Sequence, residues 1–316
     1  MYNKIGTGLF ESGVTNIATL RLALNILRSN NSYFIRRFLK FVIHSMGEDA
    51  SNNVRIIFVP HHLAHAASAY YFSGFSNATV LSVDASGEFE ATTVWRVRDG
   101  EFEKVASIPA VYGSLGFLYE NVCVKIGYDI FEGPGKVMGL APYGKASKYY
   151  EKLKSFIRFN DRDYPFRFVS PGNVRVGDVY RAIADSLYPG GRVPWDPRGE
   201  LHPDATNLAW AVQAVTEETM LHLAKWAREH TGEDKLALAG GVALNAKANM
   251  VIHYAKIFND IFIFPAANDA GTPIGAAAWV YEHILGGKMR RGRLRTVYLG
   301  PEYSDDEVRR VVERGG

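Results

Sequence analysis

The sequence predicts an α/β protein with a mixed sheet and ligands gathered at the C-terminal ends of its strands. Two patterns carry this prediction. Three short β-rich segments separated by turns lie between Ala78 and Ile108. Two strand–turn–helix units follow, one at 235–250 and one at 261–285.

The elements run in order as follows. Segments 17–26 and 33–43 carry apolar residues at helical spacing, mixed with Arg and Lys, and predict amphipathic helices without a chemical motif. Segment 54–59 is β-branched and stops at Pro60, which predicts a strand. A helix is expected over 61–72, where Ala64, Ala66, Ala67, Ser68 and Ala69 allow close packing. Strands at 78–83, 90–96 and 102–108 form an antiparallel meander, with Arg98-Asp99-Gly100 as its second turn. A helix over 113–126, a Gly/Pro-rich loop over 127–144 and a helix over 149–157 come next. Residues 160–205 are polar, aromatic and rich in Pro and Gly, and read as an irregular insertion suited to a substrate-facing lid. The longest helical pattern covers 207–231. A strand at 235–239, the turn Gly240-Gly241 and a helix at 243–250 form the first late unit. A strand at 261–264, a loop at 265–272 and a helix at 273–285 form the second.

Composition excludes several classes. The 316 residues are 47% hydrophobic and 22% charged, with a net charge of +3, which is ordinary for a globular chain with a real core. So mild and interspersed a charge gives no nucleic-acid footprint. No signal peptide and no apolar run of membrane-spanning length is visible, so no membrane partner is expected and the cytoplasm is the default compartment. The basic run at 288–295 reads as a solvated linker. The single cysteine, Cys123, sits in an apolar helical pattern and reads as a buried structural thiol.

Four constellations carry chemistry. Three of the nine histidines fall within Pro60-His61-His62-Leu63-Ala64-His65. On a helix His61 and His65 share one face, one turn apart, which is the spacing two imidazoles use to hold one metal ion. Asp84 ends an apolar strand, where an unpaired charge is expensive and a metal would compensate it; a turn-former beside Ser86-Gly87 is the plainer reading. Gly240-Gly241, with Asn245 following, lets backbone N–H groups approach a phosphate or sugar, although Gly-Gly also makes ordinary turns. Asp269, between a strand and a helix, is either a helix cap or a ligand projecting into a cleft. Lys136, alone in the glycine-rich stretch 132–144, could neutralise a phosphate or carbamate oxygen.

Together these segments resemble one family. His-His-Leu-Ala-His-Ala-Ala-Ser-Ala-Tyr at 61–70, Val-Asp-x-x-Gly-Glu at 83–88, Gly-Lys-Val-Met-Gly-Leu-Ala-Pro-Tyr-Gly at 135–144, Gly-Gly-Val-Ala-Leu-Asn at 240–245 and Asn-Asp-Ala-Gly-Thr-Pro-Ile-Gly-Ala-Ala at 268–277 look like the O-carbamoyltransferases of the NodU and antibiotic-modifying type. The resemblance implies an actin-like ATPase (ASKHA) fold with duplicated lobes. It implies an iron-type divalent metal at His61, His65, Asp84 and Asp269. It also implies a carbamoyl-adenylate, made from ATP and carbamoyl phosphate, whose nucleotide part meets Ser114, Gly240, Gly241 and Asn245. The metal would polarise the carbamoyl group while a hydroxyl of a small sugar-like or antibiotic-like acceptor attacks.

The sequence departs from that family in three respects. The Gly-His-Asp segment that carries the expected general base, together with its first strand, is not found, so no catalytic base is assigned. The adenylate-forming YrdC-like domain that normally follows is not found either, and 297–316 resembles the linker into it, after a transferring domain spanning 1–296. Ala85 stands where glycine is common. The chain is therefore expected to be an internal piece, poorly stable and inactive alone. Two other functions fit parts of the pattern: a non-catalytic actin-like nucleotide-binding module, which would need no metal, and a relative of the tRNA threonylcarbamoyl transferases.

Overall fold

Helix α1 (His61–Ser73) opens the computed structural model, which describes His44 and residues 57–315 apart from 162, 163 and 197. It leads into the meander β1 (Asn77–Gly87), β2 (Glu90–Arg98) and β3 (Glu101–Pro109). The β2–β3 turn uses Asp99 at φ 49° and Gly100 at φ 95°, the left-handed pair that a tight hairpin needs. A single turn at Ala110–Gly113 precedes α2 (Leu115–Ile126), α3 (Gly133–Leu140) and α4 (Lys148–Lys154). The ribbon β4 (Ile157–Asp161) and β5 (Tyr164–Phe168) is followed by α5 (Val179–Leu187) and the long α6 (Pro203–Thr231). Two late units close the sheet: β6 (Lys235–Ala239) with α7 (Ala246–Tyr254), and β7 (Asp260–Ile263) with α8 (Thr272–His283). Helix α9 (Asp305–Gly315) lies fully exposed at the end.

The main sheet has five strands in the order β3-β2-β1-β6-β7. The meander is antiparallel, and β1, β6 and β7 run parallel to one another. Alternation with period two sends successive side chains to opposite faces. Leu81, Val83, Leu236 and Leu238 join a core with α2 and α6. Ala78, Val80, Ala237 and Ala239 join a second core under α1. Strand β1 is thus buried on both faces, which explains its nearly unbroken apolar run. The small residues of α1 let α8 press against it, and a Cβ on Gly275 would lie 1.9 Å from the Ala64 carbonyl oxygen.

Several expectations are corrected. The stretch 127–144 is not a loop throughout. Pro134 in the first turn of α3 presets the helical φ, and Val137 and Leu140 bury a face. Residues 160–205 are only partly irregular: they hold β5, α5 and the end of β4, with irregular stretches at 169–175, 188–196 and 198–202. The buried side chains of Phe166, Phe168 and Tyr180 sit in the main core, and the partly buried Tyr164, Tyr188 and Trp195 pack against it. The helix expected at 243–250 begins at Ala246, because a 3-10 turn at Gly241–Leu244 comes first. The run 288–295 is solvated as expected, with Lys288, Arg290, Arg293 and Arg295 exposed, and it is also anchored: Arg293 pairs with Asp260 at 2.7 Å, and the Leu294 amide donates to the Phe72 carbonyl. Residues 57–60 join no strand, while 54–56 and the helices expected at 17–26 and 33–43 lie outside the described residues. Where two lobes are implied, the described residues hold one five-stranded sheet and one two-stranded ribbon.

Candidate metal centre

Four side chains converge where α1, β1 and the turn after β7 meet. His61 and His65 stand one turn apart on α1, with their Nε2 atoms 3.0 Å apart. Asp84 lies just past the parallel ladder of β1 with β6, which ends at Ser82 and Ala239. The β1–β2 register slips between Val83 and Gly87, so Asp84 leaves the regular pleat at a bulge. Its Oδ2 is 3.3 Å from His61 Nε2 and 3.0 Å from His65 Nε2. Asp269 begins the 3-10 turn after β7 and makes no side-chain cap to it or to α8. Its Oδ1 instead lies 3.6 Å from His61 Nε2 and 3.5 Å from His65 Nε2. All four ligand atoms fall within 4.8 Å of one another.

The donor set fits a divalent cation. A metal about 2.1 Å from each ligand separates neighbouring ligand atoms by roughly 3.0–3.4 Å, whether octahedral or tetrahedral. The observed separations of 3.0–3.6 Å match that spacing. Hydrogen bonds alone serve the cluster poorly, because one Nε2–H of His65 faces three acceptors and can satisfy one. The other ring nitrogen, Nδ1 of His65, is buried with no hydrogen-bond partner. Burial alone would raise the Asp84 carboxyl, yet hydrogen bonds from His61 and His65 outweigh it and hold Asp84 well below the usual carboxylate range. Burial likewise opposes a proton on His65, and the carboxylates of Asp269 and Asp84 reverse that, so its ring is raised above the ordinary histidine value. The site is built to concentrate positive charge.

Surrounding residues fix the four. His62 is fully buried, its Nδ1 2.8 Å from Ser82 Oγ and its Nε2 2.9 Å from the Glu90 carbonyl oxygen. Desolvation lowers it to about 4, so it stays neutral and pins α1 to the sheet. Gly240, at φ 90°, brings the strand–turn backbone against β1, where a Cβ would meet the Val83 carbonyl oxygen at 2.2 Å. A Cβ on Gly241 would lie 3.0 Å from Asp84 Oδ1. Ser114 is fully buried; its hydroxyl donates to the Ala85 carbonyl and accepts from the Phe117 amide, capping α2. Asn245 caps α7 through the Ala248 amide and forms a reciprocal amide pair with Gln213. The Tyr119 hydroxyl also donates to Gln213. Lys136 lies exposed on α3, paired with Glu132 at 2.8 Å.

Three contributors escaped the sequence reading. Glu120 on α2 is pushed up to about 7, first by burial and then by the charge of Asp84. No spacing rule marks it. Gln213 carried a signal, being the lone polar residue in the apolar stretch 208–215 of a helix. Glu88 stood inside a noted motif, and its role appears only through the fold: its carboxylate accepts from the His61 backbone N–H.

Comparison with known proteins agrees with the motifs. Nodulation protein NolNO of Sinorhizobium fredii (strain NBRC 101917 / NGR234) is 36% identical over 265 residues, covering 82% of this chain and 36% of its own length. Nodulation protein NolO of Bradyrhizobium diazoefficiens is 33% identical over 254 residues, covering 78% of this chain and 42% of its own. The chain therefore spans less than half the length of these relatives. Among solved structures, T. kodakarensis HypF aligns with a TM-score of 0.47 at 17% identity, over 76% of this chain and 38% of that one. No helix among the described residues is long and apolar enough to cross a membrane. The family model described as Carbamoyltransferase N-terminus matches residues 21–278, and the chain belongs to that family.

Proposed function

We propose that this chain is the transferring domain of an O-carbamoyltransferase, moving a carbamoyl group from carbamoyl-adenylate to a hydroxyl of a small acceptor. The observation that carries the reading is the convergence of His61, His65, Asp84 and Asp269 on one point, inside a chain of the carbamoyltransferase family. An iron-type divalent metal held there would supply Lewis-acid polarisation of the carbamoyl oxygen. His61 and His65 contribute neutral imidazole donors, and Asp84 and Asp269 contribute the balancing charge. Asp84 stays ionised across the working range because the two imidazoles hold it so.

The nucleotide portion of the donor is assigned to the turn at Gly240 and Gly241, beside the metal ligands. Gly241 lets backbone come close to Asp84. Asn245, held by Gln213, and Ser114, held against Ala85, are assigned to the same nucleotide portion. Lys136, exposed on α3 and paired with Glu132, is assigned to an anionic oxygen of the donor. The actin-like assignment draws on the strand order β3-β2-β1-β6-β7, with its antiparallel meander followed by parallel strands, as one lobe of a duplicated pair. An adenylate-forming YrdC-like domain is the natural partner in the longer proteins, and the cytoplasm is the expected compartment.

Metal analysis tests the reading. Purified protein reconstituted with iron(II) under anaerobic conditions is expected to retain one equivalent, and His61→Ala and His65→Ala to retain none. Equal metal in parent and variants would sink the site, and a parent that retains none would favour a metal-free nucleotide-binding module.

A further inference from the structure

Helix α1 begins at Pro60 without a side-chain cap of its own. Its first residue is His61, a member of the proposed metal pair. The first N–H groups of a helix lack intrahelical partners and attract negative charge. The His61 amide finds its partner across 27 positions, in Glu88, whose Oε1 and Oε2 lie 3.2 and 3.3 Å from the nitrogen. Glu88 sits at the β1–β2 hairpin tip, where Gly87 pairs with Glu90. Its φ is 51°, a left-handed conformation in which glycine, asparagine or aspartate is ordinarily found. An exposed glutamate at that position is a local cost with no local return. Its neighbour Gly87 makes a second contact with the same histidine, since a Cβ there would lie 2.2 Å from His61 Cδ2.

We propose that the hairpin tip is a clamp for the metal pair, with Glu88 as a positioning residue that holds the His61 backbone and Gly87 the opening that seats its ring. The inference rests on the metal reading above. Strand β1 leaves the regular ladder at Asp84 and returns to pair at Gly87. The same bulged segment therefore supplies one ligand and, four residues on, the cap that orients another. The ligands of α1 and β1 are fixed relative to each other through that hairpin, independently of the metal. Removing the clamp leaves all four ligand side chains present and loosens their geometry. Supporting groups of this kind typically carry ten- to a hundredfold in metal affinity.

The experiment titrates the full chain with cobalt(II) alone and reads its visible absorption together with the thermal midpoint of the metal-free form. Glu88→Ala is expected to raise the cobalt dissociation constant about tenfold or more and to alter the band envelope. Glu88→Gly is expected to weaken cobalt similarly while leaving the metal-free midpoint little changed, because relief of the left-handed strain offsets the lost cap. Glu88→Gln keeps an acceptor for the amide and is expected to restore most of the affinity. Gly87→Ala is expected to shift the spectrum by displacing the His61 ring. If Glu88→Gln binds cobalt as poorly as Glu88→Ala, the carboxylate is a ligand and the positioning role is overturned. If Glu88→Ala and Glu88→Gly titrate like the parent while His65→Ala loses cobalt, the clamp alone fails. A parent chain that takes up no cobalt overturns the metal reading and the clamp together.

Discussion

His65 Nε2 lies 3.0 Å from Asp84 Oδ2, joining a fully buried helical ring to the carboxylate at the end of the adjacent strand. The pair is an electrostatic trap. Asp84 is held in its ionised form by two imidazoles, of which His65 is fully buried and His61 partly so. Such a charge is stable only while something positive stands beside it. In the metal-free chain a proton on His65 serves, its ring being raised by the carboxylates of Asp269 and Asp84 against its burial, and a divalent cation serves better.

Metal binding should therefore stabilise the fold. A ligand present at a hundred times its dissociation constant adds about 2.7 kcal/mol, which for a chain of 316 residues raises the thermal midpoint by roughly 4 °C. Differential scanning fluorimetry with iron(II) or manganese(II), reversed by a chelator, checks this. The shift is expected to vanish in Asp84→Asn, and a shift of the same size in that variant would place the metal elsewhere.

Packing between α1 and α8 sets both halves of the site, because α1 carries the histidines and α8 starts three residues after Asp269. The contact depends on Gly275. An alanine Cβ would stand 1.9 Å from the Ala64 carbonyl oxygen, backbone that has no rotamer to retreat into. Gly275→Ala is expected to cost about 2 kcal/mol or more and to weaken metal binding by separating the ligands. Gly139 gives the contrasting case: it lies in α3 with nothing within 4 Å of a Cβ, and Gly139→Ala should stabilise by about 0.5–1 kcal/mol. Urea unfolding of both variants decides the matter, and a neutral Gly275→Ala would show that the helices can part freely.

The doubled histidine separates two functions on one helix turn. His65 points to the cluster, while His62 bonds Ser82 and the Glu90 carbonyl on the sheet side. His62→Phe fills the space and leaves both partners unsatisfied, an expected loss of about 2–3 kcal/mol. Its metal stoichiometry should stay at that of the parent when measured below the unfolding midpoint. A variant that folds normally and loses metal would move His62 into the ligand set.

Periodicity made much of this architecture legible. The apolar run of β1 and the i, i+4 spacing of the histidines on α1 are one-dimensional signals, and the two histidines inherit their common face from the second. The ligand role of Asp269 was less legible, since a residue between strand and helix is cap or ligand according to where its carboxylate points. Only the fold shows that it leaves α8 uncapped. The insertion at 160–205 misled because Pro, Gly and polar residues dominate its count, whereas a few aromatics, Phe166 and Phe168 among them, decide its packing. Glu88 and Glu120 were beyond a linear reading, as each matters through a partner on another element.

Glu120 supplies the pH signature of the metal-free chain. Its carboxyl is pushed up to about 7 from 4.5, by burial first and by the charge of Asp84 second. Below the unfolded value the group is protonated in both states and has no effect on the pH slope. Between about 4.5 and 7 the unfolded chain releases the proton while the folded chain keeps it, so stability falls as pH rises through this window. The total is about 3 kcal/mol, and above the folded value the loss is complete. Glu120→Gln removes the titrating group while keeping its size. The variant is expected to match the parent near pH 4.5 and to exceed its stability at pH 8, as read by urea unfolding in the presence of a chelator. A parent-to-variant difference that is the same at both pH values would show that Glu120 does not titrate in the window. Filling the cluster with a divalent cation cancels part of the field from Asp84, so the same comparison in saturating metal should give a smaller gap.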